Sequence, residues 1–159
     1  RLRTIFKEER GMYTVEQLEE FLKREGADFE LIRQDVPILS AQDAEPYYDA
    51  ARAAPTFVLQ SDRGLVACVY SANRGRLGFE ALKSAFGFGQ LKMADRKKVL
   101  KQTGYEVGAI PLVGLELDCI FDDALLEYDY IYGGTGDPLV TLKIAPGDVA
   151  RLNRVIGRL

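Results

Sequence analysis

The 159-residue chain carries 21 basic and 24 acidic side chains, for a formal net charge of −3, and contains no histidine. Its length fits one domain, and a composition of 47% hydrophobic and 28% charged residues excludes disorder as the main state. Without histidine, Ser-His-Asp and Cys-His nucleophile systems and zinc sites with a histidine ligand are excluded. With only Cys68 and Cys119, a four-cysteine zinc site and a disulfide framework are excluded as well. No apolar run is long enough to span a bilayer, so we expect a soluble, cytoplasmic protein.

Helix signals come first along the chain. Residues 14–17 form a capping box, in which two side chains bond the first free N–H groups of a helix, and apolar residues follow at helical spacing. This pattern predicts a helix that ends at Gly26. Residues 28–34 are predicted to form a strand. Ser40 is predicted to begin a second helix, which Pro46 either ends or restarts.

The rest of the chain alternates short strands and helices. Apolar runs over residues 56–59 and 65–70 flank turn residues at 61–64 and predict a β-hairpin. The further predicted elements are helices over 79–86 and 95–104, strands over 91–93, 117–121, 128–132 and 139–144, and a closing helix begun by Pro146. We therefore predict one mixed α/β domain of the α+β type over residues 1–159. Its sheet is expected to be mixed, mostly antiparallel and curled, with helices on its flanks.

Charge is unevenly distributed along the chain. Residues 63–101 hold nine basic and two acidic side chains, whereas residues 1–62 and 102–159 are both acidic. A basic segment in an acidic protein suits a surface that binds phosphate groups. Basic stripes on helices also serve solubility alone, so charge leaves both interpretations open.

Three segments, taken together, carry a resemblance to a known family. Residues 103–114 read Thr-Gly-Tyr-Glu-Val-Gly-Ala-Ile-Pro-Leu-Val-Gly, residues 121–126 read Phe-Asp-Asp-Ala-Leu-Leu, and residues 132–136 read Tyr-Gly-Gly-Thr-Gly. In this order and spacing they resemble the YbaK/EbsC family, the aminoacyl-tRNA editing domains that occur alone or inserted into prolyl-tRNA synthetase. The resemblance extends over residues 28–157 and is strongest over 54–157.

The resemblance implies hydrolysis of the ester that joins a wrong amino acid to the 3′ end of a tRNA, without a metal or other cofactor. Residues 104–114, which we call the glycine loop, would hold the oxyanion of the tetrahedral intermediate on backbone N–H groups. We place this catalytic function at Gly108, Ala109 and Ile110. The implied substrate pocket consists of Thr56, Gly104, Pro111, Asp122, Gly133, Gly134 and Gly136.

Several of these residues have structural alternatives. Gly104 and Gly108 could serve only as turn residues with positive φ. Asp122 and Asp123 could orient the substrate's ammonium group or a water, or could equally cap a helical turn. The glycines of residues 133–136 could line the pocket or form a turn at the end of a strand.

Tyrosines offer a further candidate feature. Tyr47 and Tyr48, together with Tyr128, Tyr130 and Tyr132, could stack on an adenine base. The last three stand at alternate positions of a predicted strand, a pattern more typical of side chains that line one face of a sheet.

Two positions depart from the family's pattern, and both fall in the implied pocket. The family's functional lysine begins a Lys-Thr-Leu strand, and Pro55 takes its place here, which supplies neither an ammonium charge nor a hydrogen bond. Leu112 stands where the family's loop has a proline, and Pro111 comes one position early. We therefore assign no lysine a catalytic role.

The basic segment gains a role from the resemblance. Arg74 and Arg76 follow the hairpin, and Lys97, Lys98 and Lys101 precede the glycine loop, where they would hold phosphates of a tRNA acceptor stem. A synthetase is a second candidate partner, and neither a membrane nor a specific DNA partner is predicted.

Two functions follow as hypotheses. The first is a freestanding trans-editing deacylase for mischarged tRNA, of the proline type and carrying a small amino acid. The second is a binding module that kept the fold and lost the chemistry, and that recognises a tRNA, a synthetase or a small amino-acid-like ligand. Pro55 favours the second hypothesis, because it removes the family's functional lysine.

Overall fold

A computed structural model describes residues 13–159, which fold into a mixed α/β domain. Its helices are α1 (Val15–Arg24), α2 (Ala41–Ala44), α3 (Phe79–Phe86), α4 (Arg96–Thr103) and α5 (Pro146–Leu152). Its strands are β1 (Phe29–Arg33), β2 (Thr56–Ser61), β3 (Gly64–Val69), β4 (Leu91–Met93), β5 (Asp118–Phe121), β6 (Ile131–Gly134), β7 (Val140–Ile144) and β8 (Arg154–Arg158). Short 3-10 helices occupy Ala50–Arg52, Ala72–Arg74 and Asp123–Glu127.

Most predicted elements are confirmed by their local hydrogen bonds. The capping box forms before α1: the Thr14 hydroxyl oxygen accepts from the Gln17 N–H at 3.1 Å, and the Gln17 side chain accepts from the Thr14 N–H at 3.0 Å. Helix α2 has Ser40 as its N-cap and ends before Pro46. The hairpin joins β2 to β3, with Ser61 paired to Gly64 at its turn.

Two elements differ from the prediction. Strand β6 begins at Ile131 rather than at residue 128, because the 3-10 helix ends at Tyr128, whose N–H bonds the Leu125 carbonyl at 3.3 Å. Strand β8 follows α5, although its local pattern does not indicate a strand. It forms because it pairs in parallel with β5, a partner more than thirty residues earlier in the chain.

The strands form two sheets. One is antiparallel with the order β1-β7-β6, and the other is mixed with the order β4-β2-β3-β5-β8, where β5 runs parallel to both of its neighbours. The expected mixed sheet is thus divided, and isolated parallel bridges at β6 join its two parts. Tyr132 pairs with Ala53 on the way into β2, and Gly134 pairs with Pro111 of the glycine loop.

Glycine makes the close approach at β6 possible. The Ala54 N–H donates to the Tyr132 carbonyl at 2.8 Å, and the Leu112 N–H donates to the Gly134 carbonyl at 3.1 Å. A Cβ at Gly134 would overlap the carbonyl oxygen of Ile110, and one at Gly133 would overlap the Leu112 side chain. The glycine loop can therefore lie against β6 only because neither position carries a side chain.

A buried cluster holds α4 and the glycine loop on the larger sheet. Val99 of α4 is fully buried, and Ile110 of the loop packs in the same cluster as Val58 of β2 and Ala67 of β3. A second cluster packs α1 against the smaller sheet, and a third packs α3 against the larger one. The glycine loop is consequently packed between β6 and one face of the β2-β3 hairpin.

Asp122 links the ends of β3 and β5 rather than facing a pocket. Its fully buried carboxylate accepts hydrogen bonds from the Ser71 N–H at 3.0 Å, the Ala124 N–H at 3.0 Å, and the Arg74 guanidinium at 2.8 and 2.6 Å. Burial alone would raise the pKa of this carboxyl, but these hydrogen bonds outweigh burial and hold its pKa below the ordinary value. Of the two predicted roles, the structure gives Asp122 the capping one.

We expect Gly134→Ala to lower the free energy of unfolding by about 3 kcal/mol, because its Cβ meets a backbone oxygen that cannot rotate away. Gly147→Ala is the matched control: nothing lies within 4 Å of a Cβ there, and alanine in α5 should stabilise by about 0.5 kcal/mol. Urea unfolding of both variants measures this difference. Equal midpoints would contradict the close approach at β6.

Asp122→Asn keeps the shape of the side chain and removes its charge. Because the Arg74 side chain is partly exposed, we expect a loss of about 2 kcal/mol at pH 7 rather than the full cost of breaking a buried pair. A lowered pKa stabilises the fold above the unfolded value of about 3.9, and this contribution disappears as pH falls through the folded pKa. The difference between wild type and variant in urea unfolding should therefore shrink as pH falls below the unfolded value and through the lowered pKa of the folded state. A difference that stays constant from pH 7 to pH 2 would contradict this role.

Candidate active site

A cavity of about 380 Å³ lies where the two sheets and the glycine loop meet. Its walls come from the segment that leads into β2, from the centre of the glycine loop, from β6, and from the turn between β6 and β7. The lining residues fall in the segments 38–40, 53–58, 93–94, 107–110, 132–134, 137–138 and 140–141, with Tyr48 and Ala72 at the side.

Six of the residues predicted for catalysis or substrate binding line this cavity. They are Thr56, Gly108, Ala109, Ile110, Gly133 and Gly134. They come from three separate parts of the chain, and the contacts at β6 bring them together.

Four other predicted pocket residues lie elsewhere. Gly104 ends α4 in a left-handed conformation, with its N–H bonded to the Leu100 carbonyl at 2.8 Å. Gly136 lines a neighbouring cavity, and Pro111 pairs with β6 behind the wall. Asp122 is buried against Arg74, so the expectation that it lines the pocket is wrong. Hydrogen bonds within the fold account for Gly104 and Asp122, whereas Gly136 and Pro111 lie outside the cavity because of the path of the chain.

The glycine loop presents backbone N–H groups at the cavity wall. Gly108 has φ +96°, and the turn is closed by the Ala109 N–H, which donates to the Glu106 carbonyl at 3.1 Å. Ala109 is therefore not a free donor, contrary to its predicted role. Within residues 13–159, the N–H groups of Gly108 and Ile110 have no hydrogen-bond acceptor, and these two can serve a ligand.

Thr56 supplies an unsatisfied hydroxyl. Its Oγ1 is buried and has no hydrogen-bond partner in the described part of the chain, although the residue lines the cavity. Buried polar side-chain atoms are nearly always paired, so this hydroxyl is an exception, and it belongs to a residue of the cavity wall.

The cavity carries little charge. Among the residues that the structure describes, neither lysine nor arginine lines it, and Pro55 forms part of its wall at the position where the resemblance expects a lysine. The single carboxylate in this part of the wall is Asp137, which the sequence did not single out because the Asp-Pro step after the glycines reads as a turn. The sequence signal that could have identified Asp137 is its position directly after glycines that were themselves predicted to line the pocket.

Two tyrosines stack in the cavity wall. The rings of Tyr48 and Tyr132 lie 4.5 Å apart at 16°, and burial, with a smaller effect of Tyr132, raises the pKa of the Tyr48 hydroxyl. Tyr128 and Tyr130 precede β6, so the predicted alternation of three tyrosines on one sheet face is wrong. Their hydroxyl groups bond Asn73 at 2.7 Å and Asp28 at 3.3 Å.

Basic side chains lie beside the cavity rather than in it. Met93 and Ala94 line the wall, and α4 begins two residues later with Arg96. Lys97, Lys98 and Lys101 are exposed and form no ion pair within the described residues.

Arg74 and Arg76 differ in their contacts. Arg76 is exposed and its side chain has no ion pair in the described chain. Arg74, in contrast, holds Asp122 with both its Nε and one terminal nitrogen, so most of its hydrogen-bonding capacity is used within the fold. A buried carboxylate outcompetes an external phosphate for the same guanidinium, since breaking the pair would leave an uncompensated buried charge.

No helix within residues 13–159 has the length and apolar character needed to cross a membrane.

Comparison with known proteins agrees with the fold. The fold is similar to that of the hypothetical protein APE2540, with a TM-score of 0.79, 23% identity, and coverage of 89% of this chain and 96% of that one. It is also similar to a proposed trans-editing enzyme for prolyl-tRNA synthetase, with a TM-score of 0.77, 20% identity, and coverage of 90% and 93%. Residues 35–152, which contain the cavity walls, match the model of the aminoacyl-tRNA editing domain. The chain therefore belongs to the family of aminoacyl-tRNA editing domains.

Proposed function

We propose that this chain is a trans-editing deacylase that hydrolyses the ester of a mischarged tRNA. The observation that carries the proposal is a cavity in an editing-domain fold whose wall includes Gly108 and Ile110, two residues whose backbone N–H groups have no acceptor within residues 13–159. Such groups stabilise the negative oxygen that forms when an ester is attacked.

In the proposed reaction, a water adds to the ester carbonyl carbon while the carbonyl oxygen gains negative charge near Gly108 and Ile110. The bond from that carbon to the ribose oxygen then breaks. The ribose oxygen receives the proton that the water loses, and the products are a free amino acid and a tRNA with a free 3′ terminus. Because no lysine or arginine of the described chain lines the cavity, we assign the proton transfer to a neighbouring ribose hydroxyl of the tRNA.

Cavity size and shape support a small amino acid on the 3′ adenosine. A volume of about 380 Å³ is at the lower end of ligand pockets, so it holds little beyond a short side chain and a ribose. The stacked pair of Tyr48 and Tyr132 offers a flat aromatic surface for the adenine. Proline-type tRNA is the proposed carrier because the similar structure is described as a trans-editing enzyme for prolyl-tRNA synthetase.

The exposed lysines of α4 support contact with the acceptor stem. Arg96, Lys97 and Lys98 occupy the first turn of this helix, which contains no acidic residue. Positive charge is unfavourable there, because the helix dipole makes the N-terminal end partly positive. Folding stability therefore does not explain these cations, whereas phosphate groups beside the cavity would. A synthetase would be the second partner, and the cytoplasm, where tRNAs are charged, is the proposed location.

The binding module remains the competing function, and Pro55 in the cavity wall favours it. A panel of tRNAs charged with alanine, serine, cysteine and proline separates the two functions, since each released amino acid can be followed over time. Release of any of them above the buffer rate supports the deacylase. No release from the whole panel, together with retained tRNA binding, would establish the binding module.

Gly108→Val should reduce deacylation by about 100-fold or more. The valine side chain would lie beside the N–H groups of the glycine loop, and its Cβ would come within 3.2 Å of the Leu39 carbonyl oxygen. Gly64→Val is the matched control. It imposes the same kind of strain, at φ +107°, but meets no atom within 4 Å and lies outside the cavity. Circular dichroism at the assay temperature confirms that both variants are folded. A fully active Gly108→Val variant would remove the loop from the mechanism.

Replacing Lys97, Lys98 and Lys101 with glutamate should abolish tRNA binding. Each lost phosphate contact should flatten the slope of log affinity against log salt by about 0.7 to 0.9. Fluorescence anisotropy of labelled tRNA at several salt concentrations measures both effects. Two double variants separate the position of the charge from the net charge. Lys97→Glu/Lys101→Glu changes α4, and Lys23→Glu/Arg24→Glu changes the net charge by the same amount on α1. If the two double variants lose affinity equally, α4 is not the contact surface.

A further inference from the structure

Within residues 13–159 the cavity wall has one charged side chain, and the aminoacyl end of the proposed substrate carries a charge of opposite sign. An aminoacyl ester has a free α-amino group, which is protonated near neutral pH. A positive charge in a largely apolar site needs a carboxylate or several hydrogen bonds, because its desolvation is costly. Among the described residues of the cavity wall, Asp137 is the only carboxylate, and no lysine or arginine competes for it there.

The turn between β6 and β7 holds Asp137 in a defined position. Its Oδ1 accepts from the Leu139 N–H at 2.9 Å, and its own N–H donates to the Thr135 hydroxyl at 3.2 Å. The Val140 N–H donates to the Asp137 carbonyl at 3.0 Å, and the buried Thr135 hydroxyl donates to the Val140 carbonyl at 2.8 Å. The turn therefore fixes the carboxylate without neutralising it.

One oxygen of this carboxylate stays available. Within residues 13–159, Oδ2 of Asp137 has no hydrogen-bond donor, and no lysine or arginine forms an ion pair with the side chain. Arg33 lines the neighbouring cavity together with Asp137, but its ion pair is to Glu16 at 4.0 Å. An anchored carboxylate with one open oxygen is suited to accept a single charged donor.

We propose that Asp137 Oδ2 accepts a hydrogen bond from the α-ammonium group of the substrate and thereby restricts the site to esters with a free α-amine. This inference rests on the proposed function. Aminoacyl-tRNA is then a substrate, whereas an N-acylated ester, such as a formylated or peptidyl one, leaves Asp137 as an unpaired charge in the cavity. The site would discriminate by charge at the α-nitrogen in addition to the size of the side chain.

The test compares alanyl-tRNA with lactyl-tRNA, in which a neutral hydroxyl replaces the α-ammonium group. Wild type should prefer the alanyl ester by about 10- to 100-fold in kcat/KM, the range expected for a charge-assisted hydrogen bond. Asp137→Asn keeps an oxygen for the Leu139 N–H and should lower kcat/KM for the alanyl ester by a similar factor while leaving the lactyl ester within twofold. Asp129→Asn removes an exposed carboxylate outside the cavity and serves as the matched control.

The outcomes separate this inference from the proposed function. If Asp137→Asn lowers hydrolysis of both esters equally, Asp137 acts on the reaction itself and the inference is wrong. If wild type hydrolyses neither ester, calorimetry with amide-linked alanyl-adenosine and its des-amino analogue tests recognition without hydrolysis. Tighter binding of the amine analogue that is lost in Asp137→Asn would support the inference although the deacylase failed. Equal binding of the two analogues would overturn it.

Discussion

The structure depends on how closely β6, whose only strand partner within residues 13–159 is β7, approaches two segments outside its own sheet. Backbone hydrogen bonds run from Ala54 to Tyr132 and from Leu112 to Gly134, and they join the smaller sheet to β2 and to the glycine loop. The contact with the glycine loop needs a backbone without side chains at Gly133 and Gly134. If either contact were absent, Thr56 and Gly108 would belong to separate walls, and the cavity would be an open groove between two sheets.

Polarity is divided between the cavity and its surroundings. Inside, the wall offers backbone N–H groups, one unsatisfied hydroxyl at Thr56 and one carboxylate at Asp137. Outside, the unpaired cations begin just beyond Met93 and Ala94, on a helix whose dipole does not favour them. This arrangement suits a ligand with a small, weakly charged end and a highly charged body, which is the character of an aminoacylated nucleic acid. Reacting atoms would then meet preorganised dipoles, while phosphates supply most of the binding energy.

Arg74 and Asp122 show how a functional pattern can serve the fold. An acidic pair before a helical turn and an arginine after a hairpin both suit a binding site in sequence. The two side chains instead meet across 48 residues and satisfy each other, because β3 and β5 are parallel neighbours and end at the same edge of the sheet. Once a carboxylate is fully buried, the partner that neutralises it cannot also serve a ligand without a large energetic cost.

Local signals in the sequence determined most of the secondary structure. Capping at Thr14 and Ser40, the turn at 61–64 and the glycine after α4 each depend on hydrogen bonds or φ angles within a few residues, so the bounds of these elements follow from the sequence alone. The ordered motifs also indicated the family, and with it the glycine loop at Gly108. Strand β8 escaped prediction because its stability comes from pairing with a distant strand.

Only the tertiary structure decided which of the candidate residues share a site. The approach at β6 brought Thr56, Gly108 and Gly134 to one cavity and added Asp137 and the Tyr48–Tyr132 stack, whereas Asp122 and Arg74 were withdrawn into the fold. Spacing along a chain specifies local geometry, but which polar groups stay unpaired is a property of the whole packed molecule. For that reason the sequence determined the fold class and the loop, and the tertiary structure decided the chemistry that the cavity can offer.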